Sequence, residues 1–208
     1  MSCNKIVTIT RQYGSGGHDI GKALASKLEI PFYDKELISL AAKESGVCPE
    51  VFERVDEKAT NSLLYSMSLG LYNYGNGFSN MGDLPLNDKL YILQHKIIKE
   101  LADKGTFVVV GRCADYVLRN LPNLVKVYIY ADLDVRVKRS IEKQKIDPAR
   151  AKQAVIKADK NRANYYSFYS GKKWGLVENY DLCINSTNLT IEQAVDIIIN
   201  YIDTINKK

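Results

Sequence analysis

Histidine is scarce in this sequence and cysteine is scattered. Only His18 and His95 occur in 208 residues, too few for a histidine-built metal centre. The four cysteines, Cys3, Cys48, Cys113 and Cys183, form no CxxC pair. That excludes a zinc ribbon and a dense disulfide framework, and suits a reducing compartment. No run of about 18 apolar residues is present, so no membrane-spanning helix is expected. The first residues pass straight into "KIVTIT" without the basic-then-apolar layout of a secretory signal, and the expectation is a cytoplasmic protein. No RNP-like or helix-turn-helix pattern accompanies the aromatics, so nucleic acid is not an expected partner. No internal repeat is found.

What is present is unevenly spread. Residues 138–174 hold eleven Lys/Arg against three acids, a surplus of eight in a chain whose net charge is +5. A basic segment in a mildly acidic body suits an anionic ligand, although a solvated helix face is the plainer reading of most charge runs. Residues 60–87 show the opposite trend, with four glycines, five asparagines and the single charge Asp83. Their first part, "SLLYSMSLGLY", reads as a helix or an ordinary excursion, and "NYGNGFSNMGD" reads as a loop whose aromatics could cover a ligand or a second subunit.

Apolar, β-branched runs predict buried parallel strands at 6–10, 106–111 and 125–131, with shorter candidates at 31–34 and 180–185. Helical patterns fall at 17–28, 35–45, 88–103, 113–120, 132–144, 148–166 and 190–206. The alternation predicts one α/β domain, a three-layer α/β/α sandwich around a parallel sheet of about five strands. Ligands of such sheets bind beyond the carboxyl ends of the strands. Thr190, three residues before Gln193, reads as a capping box.

The stretch "TITRQYGSGGHDIGKALASKL" has the strand, glycine turn and helix of a phosphate-binding loop, in two competing registers. Gly16, four residues and Gly21-Lys22 match most of the G-x-x-x-x-G-K pattern. That register would leave a helix of about seven residues before Pro31, short for a crossover. Placing the loop at 11–17 instead gives a twelve-residue helix to Leu28, with Ile20, Leu24, Ala25 and Leu28 on one face. Lys22 then lies beyond the first helical turn, off the phosphate.

With its blocks "ITRQYGSGGHDIGKALASKLEIPFYDKEL", "VVVGRCADYVL", "VYIYADLDVRVKR", "DKNRANYYSFYSGKKWG" and "NYDLCINSTNLTIEQAV", the chain resembles the cytidylate kinase-like family of P-loop nucleoside monophosphate kinases. The resemblance is weakest over 46–88, the place of an acceptor-side insertion or flap, and it makes 140–175 a basic lid. It implies transfer of the ATP γ-phosphoryl group to a nucleoside monophosphate, with Mg²⁺ and a small-molecule nucleotide as ligands, and leaves a homodimer open. By that resemblance the donor is held by Arg11, Gly14, Ser15, Gly16, Gly17, His18, Asp19 and Arg136. Arg139, Lys160 and Arg162 clamp the moving phosphoryl group with Asp159 orienting the clamp, and Asp34, Arg112 and Asp115 meet the acceptor. "YYSFYSGKKWG" is typical of the kinase-like branch, its Tyr165, Tyr166, Lys172 and Trp174 either stacking on a base or packing the lid.

Three parts of the family pattern that handle Mg-ATP are missing, and Lys35-Glu36 stands where the acceptor serine after strand two is expected, which leaves the acceptor's identity open. Gly17 stands where the loop lysine is expected, His18-Asp19 where the metal-linked Ser/Thr is, and Val110 where an acid precedes Gly-Arg. Asp19 is the metal candidate. Arg11, His18 or lid lysines are the candidates for the missing positive charge. A nucleotide- or phosphate-binding protein without transfer is therefore the competing reading.

Overall fold

The computed structural model describes residues 5–34 and 86–206. The helix expected at 35–45 and nearly all of the 46–88 insertion lie outside these residues. Strand β1 (Ile6–Arg11) leads through helix α1 (Gly17–Leu28) to β2 (Phe32–Tyr33). Helix α2 (Leu86–Lys104), β3 (Val108–Val110) and the single turn α3 (Ala114–Val117) follow. Next come β4 (Leu124–Tyr130), α4 (Leu133–Gln144), α5 (Pro148–Ser170), a 3₁₀ turn (Val177–Asn179), β5 (Leu182–Asn185) and α6 (Ile191–Asn206).

The five strands are all parallel, in the order β2-β3-β1-β4-β5. β1 is central, paired with β3 on one side and over its whole length with β4 on the other. A strand covered on both faces must be apolar throughout, and Ile6 to Thr10 are all buried. On one face Val7, Ile9, Val127 and Ile129 meet Ile20, Leu24, Val195 and Ile198 of α1 and α6. On the other, Ile6, Phe107 and Val109 meet Ile98 of α2 and Ala114 and Val117 of α3. At about 25 cal/mol per Å² of apolar area removed from water, burying these two clusters is a large favourable contribution to folding.

Element ends differ from expectation for local reasons. β3 stops at Val110 because Gly111, Arg112 and Cys113 have φ of 82°, 59° and 52° and turn the chain away from the sheet. Helix α5 continues four residues past the expected 166, to Ser170, where Gly171 (φ 67°) caps it. The aromatic run "YYSFYS" favours strands by intrinsic preference, and tertiary packing overrides that preference here. Tyr91 of α2 stacks on Tyr169 at 3.8 Å, and Tyr165 meets Tyr169 edge-on at 4.7 Å. The capping box at the start of α6 forms as expected, Gln193 N donating to Thr190 Oγ1 and Thr190 N to Gln193 Oε1.

Candidate phosphate-binding site

The loop Gln12–Gly16 leaves the carboxyl end of β1, and α1 starts at Gly17 with Gly16 as its left-handed N-cap (φ 82°). This is the shifted register. The Walker-like pair Gly21-Lys22 lies inside the helix. A Cβ on Gly21 would stand 2.8 Å from Val110 Cγ2, so this glycine lets α1 approach the sheet. Lys22 is exposed and lines neither hollow described below.

The loop is held from below by α4 and α5. Arg136, 7% exposed, pairs with Asp159 (Nη1–Oδ2 2.6 Å) and donates to Tyr13 O (3.2 Å) and Ala131 O (2.9 Å). Asp159 Oδ1 accepts from Tyr13 N at 2.7 Å. Gly14, with φ 75°, rests on α4, and a Cβ there would stand 2.5 Å from Arg136 O. On the β5 side, Arg139 donates to Ser186 O (2.9 Å) and Ser15 O (3.3 Å), while Ser186 Oγ donates to Ser15 O (2.7 Å). Gln12 Oε1 accepts from Ala131 N at 3.1 Å. These bonds fix a curled backbone before any ligand arrives. Preorganised N–H groups at a helix N-terminus form an anion cradle.

Above the loop lies a cleft of about 530 Å³. Its walls include the loop backbone, the cations Arg11, Arg139, Lys143 and Arg162, and Leu189 to Ile191 from the start of α6. Arg162 holds Arg11 O at 3.1 Å and lies over the Tyr13 ring at 5.2 Å. Asp19, in the first turn of α1, meets Lys143 Nζ at 2.5 Å and His18 Nδ1 at 3.5 Å. Burial raises the Asp19 pKa, but Lys143 and His18 outweigh it and hold the carboxyl below its usual range. His18 Nε2 also reaches Asp34 Oδ2 at 3.1 Å.

A second, smaller hollow of about 40 Å³ adjoins the ends of β1 and β3. Thr10, Arg11, Arg112, Arg162, Tyr165, Tyr166 and Trp174 face it, and it shares Arg11 and Arg162 with the cleft. Arg112 and Cys113 are non-glycine residues with positive φ, a conformation that costs about 1–3 kcal/mol each and collects at functional sites. Trp174 meets the Tyr128 ring edge-on at 5.8 Å.

Of the expected donor residues, Arg11 and Gly14 to Asp19 line the cleft. Arg136 does not, being shut beneath the loop. Of the expected clamp, Arg139 and Arg162 reach the cleft, Asp159 braces the loop, and Lys160 is exposed and lines neither hollow. Of the acceptor set, Arg112 faces the smaller hollow and Asp34 adjoins His18. Asp115 is 4% exposed, accepts from Tyr166 Oη at 2.7 Å and lines neither hollow. Burial pushes its pKa up. Lys143 and Ser186 were missed. Lys143 stands four residues after Arg139 on one helical face, a spacing that could have found it. Ser186 had no signal beyond its place at a strand end.

No group of three or more His, Cys, Asp or Glu suited to a metal occurs among the described residues. Mg²⁺ in phosphotransfer sites is commonly held by one or two carboxylates plus substrate phosphates, and Asp19 is a carboxylate that fits this use. No helix among the described residues is long and apolar enough to cross a membrane.

The sheet order and loop are those of a P-loop kinase fold, and comparisons with known proteins agree. A shikimate kinase from Acinetobacter baumannii, solved in complex with shikimate, shares the fold with TM-score 0.56 at 15% identity, over 100% of this chain and 97% of that one. An uncharacterized protein from Eubacterium ventriosum matches with TM-score 0.72 and 31% identity, over 96% and 98% of the two chains. The cytidylate kinase of Methanosarcina barkeri is 27% identical over 203 residues, 96% of this chain and 97% of that one. The sequence profile of the Cytidylate kinase-like family matches residues 6–188, and this chain belongs to that family.

Proposed function

We propose that this protein transfers the γ-phosphoryl group of ATP to a nucleoside monophosphate, cytidylate-like, or to a related small phosphorylated acceptor. The observation that carries the reading is the shared wall of the two hollows. Phosphoryl transfer needs donor and acceptor in line, with charge on the moving group neutralised between them. Arg11 and Arg162 face both the loop cleft and the smaller hollow containing Arg112. The acceptor oxygen attacks the γ-phosphorus, the bond from that phosphorus to the bridging oxygen breaks, and ADP leaves with the electron pair.

The loop N–H groups and Arg139 hold the donor phosphates, Arg112 holds the acceptor, and Arg162 stabilises the equatorial oxygens. Asp159 acts beneath the loop by keeping Tyr13 and Arg136 in place. Mg²⁺, when bound, adds charge neutralisation on the phosphates, and Asp19 is the residue that would hold it. Binding it competes with the Lys143 contact.

The test is ADP release with Mg²⁺ across a panel of nucleoside monophosphates. Turnover with one of them is expected. No turnover with any acceptor, from protein that binds ATP, overturns the reading. That outcome favours nucleotide or phosphate binding without transfer. The replacement of the loop lysine by Gly17 and of the strand-end acid by Val110 speaks for this alternative.

A further inference from the structure

Gly17 stands where a phosphate loop of this kind carries its lysine, and its surroundings explain why. A Cβ on Gly17 would stand 2.5 Å from Arg11 Cβ, 3.0 Å from Arg11 Cγ and 3.3 Å from Ile129 Cβ. The colliding atoms are the stem of Arg11 beside the backbone, not its flexible end, so no lysine fits at 17 while Arg11 keeps its path. Further out, a Cβ on Gly111 would collide with Arg11 Nη1 and stand 3.2 Å from Cζ. The Arg11 side chain therefore runs from Gly17 at the helix start to Gly111 at the end of β3. Its own carbonyl is held by Arg162 Nη1 at 3.1 Å. Arg11 lines both the loop cleft and the smaller hollow.

We propose that Arg11 is the phosphate-gripping cation of this loop, its side chain occupying the space from which it excludes the lysine, and that its guanidinium contacts the phosphoryl group between the two hollows. A planar guanidinium can bind two phosphate oxygens at once, where an ammonium acts as a point charge. The side chain starts from the last residue of a central strand, so it enters the site from a rigid support. Arg11 and Gly17 thus form one unit, and neither changes alone without loss. The proposal rests on the phosphate-cradle part of the reading above, not on turnover.

The test uses the full chain and titrates sodium tripolyphosphate, which has no base or ribose, beside ATP by calorimetry. Melting of the unliganded protein is followed in parallel. R11M is expected to weaken tripolyphosphate binding about tenfold to a hundredfold, the effect of losing a charged hydrogen-bonding partner. G17K alone is expected to weaken binding as well, because its Cβ meets Arg11. The double variant R11G/G17K removes the collision and restores a cation, and is expected to bind within about tenfold of the unaltered protein. K22A is expected to bind like the unaltered protein.

Unaltered binding by R11M overturns the proposal. So does a folded R11G/G17K that binds no better than R11G, and this arm decides the matter should R11M not fold. Lost binding in K22A overturns it too, by returning the role to the Walker-like lysine. ATP binding without turnover in the unaltered protein would overturn the kinase reading alone, leaving these binding ratios to decide Arg11.

Discussion

Arg136 and Arg162 come from neighbouring helices and both reach the phosphate loop, yet they meet it from different sides. Arg136 is sealed beneath the loop against Asp159, Tyr13 O and Ala131 O. Arg162 lies over the Tyr13 ring and faces the cleft. In the sequence they look alike, Arg136 two residues ahead of the basic segment 138–174 and Arg162 within it. The difference is the partner. A buried guanidinium with a carboxylate and two carbonyls is committed to structure, whereas one on a cleft wall can still turn to an anion. The cations of this region therefore divide into a brace, Arg136, and residues of the cleft wall, Arg139, Lys143 and Arg162.

Breaking the brace should have the largest effect. Asp159→Ala leaves Arg136 buried without its counter-charge and frees Tyr13 N. Removing one partner of a buried pair costs about 3–5 kcal/mol. Chemical denaturation should show a loss of that order, and the double variant R136M/D159L should lose much less than the two single changes together. A stable D159A protein with impaired phosphate binding would instead put Asp159 on the ligand side and dissolve the distinction.

Gly14→Ala tests the brace from the loop's own backbone. A φ of 75° disfavours alanine, and the added Cβ would stand 2.5 Å from Arg136 O, which is backbone and cannot move cheaply. The expected loss is about 1–3 kcal/mol, read by thermal melting, with weaker phosphate binding because the cradle opens. Melting at the unaltered temperature would mean that the loop is not pressed on α4.

The sheet, its helices and the loop register were legible from the sequence because each rests on a local pattern. Continuous apolar runs mark buried strands, and the length needed for a crossover helix fixed α1 at Gly17–Leu28. The division of the arginines was not legible. Arg136 and Arg139 are three residues apart on one helix, and only tertiary contacts decide that the first faces Asp159 and the second Ser186. The burial of Asp115 was not legible for the same reason, since a carboxylate one turn after Arg112 gives no sign that Tyr166 will cover it.

The carboxylates repeat the contrast, and pH reads it out. Burial raises the Asp115 pKa. Between the ordinary Asp value of about 3.9 and the higher folded value, the unfolded chain loses its proton while the folded protein keeps it. The folded state then binds more protons, so stability falls as pH rises through that interval. Asp115→Asn, which can still accept from Tyr166, should flatten this part of the stability–pH curve. Burial also raises Asp88, so the difference between D115N and the unaltered protein is the quantity to measure. An identical pair of curves would show Asp115 ionised in the fold.

Asp19 should behave in the opposite sense and more weakly. Despite some burial, Lys143 and His18 hold its pKa down. A depressed carboxylate stabilises the fold above its unfolded pKa, and that contribution is lost as pH falls through the folded value. Asp19 and Lys143 are 40% and 60% exposed, so solvent and salt screen the pair. Exposed pairs contribute about 0.2–1 kcal/mol, and Lys143→Ala should cost no more than that at neutral pH. NMR titration should show the Asp19 pKa rising toward its ordinary value in K143A. The same change removes a cation from the cleft, so tripolyphosphate binding should weaken modestly, and most at low salt. A loss of stability approaching that of D159A would show Lys143 to be a brace, and would move the boundary between structural and ligand-facing charge up to the first turn of α1.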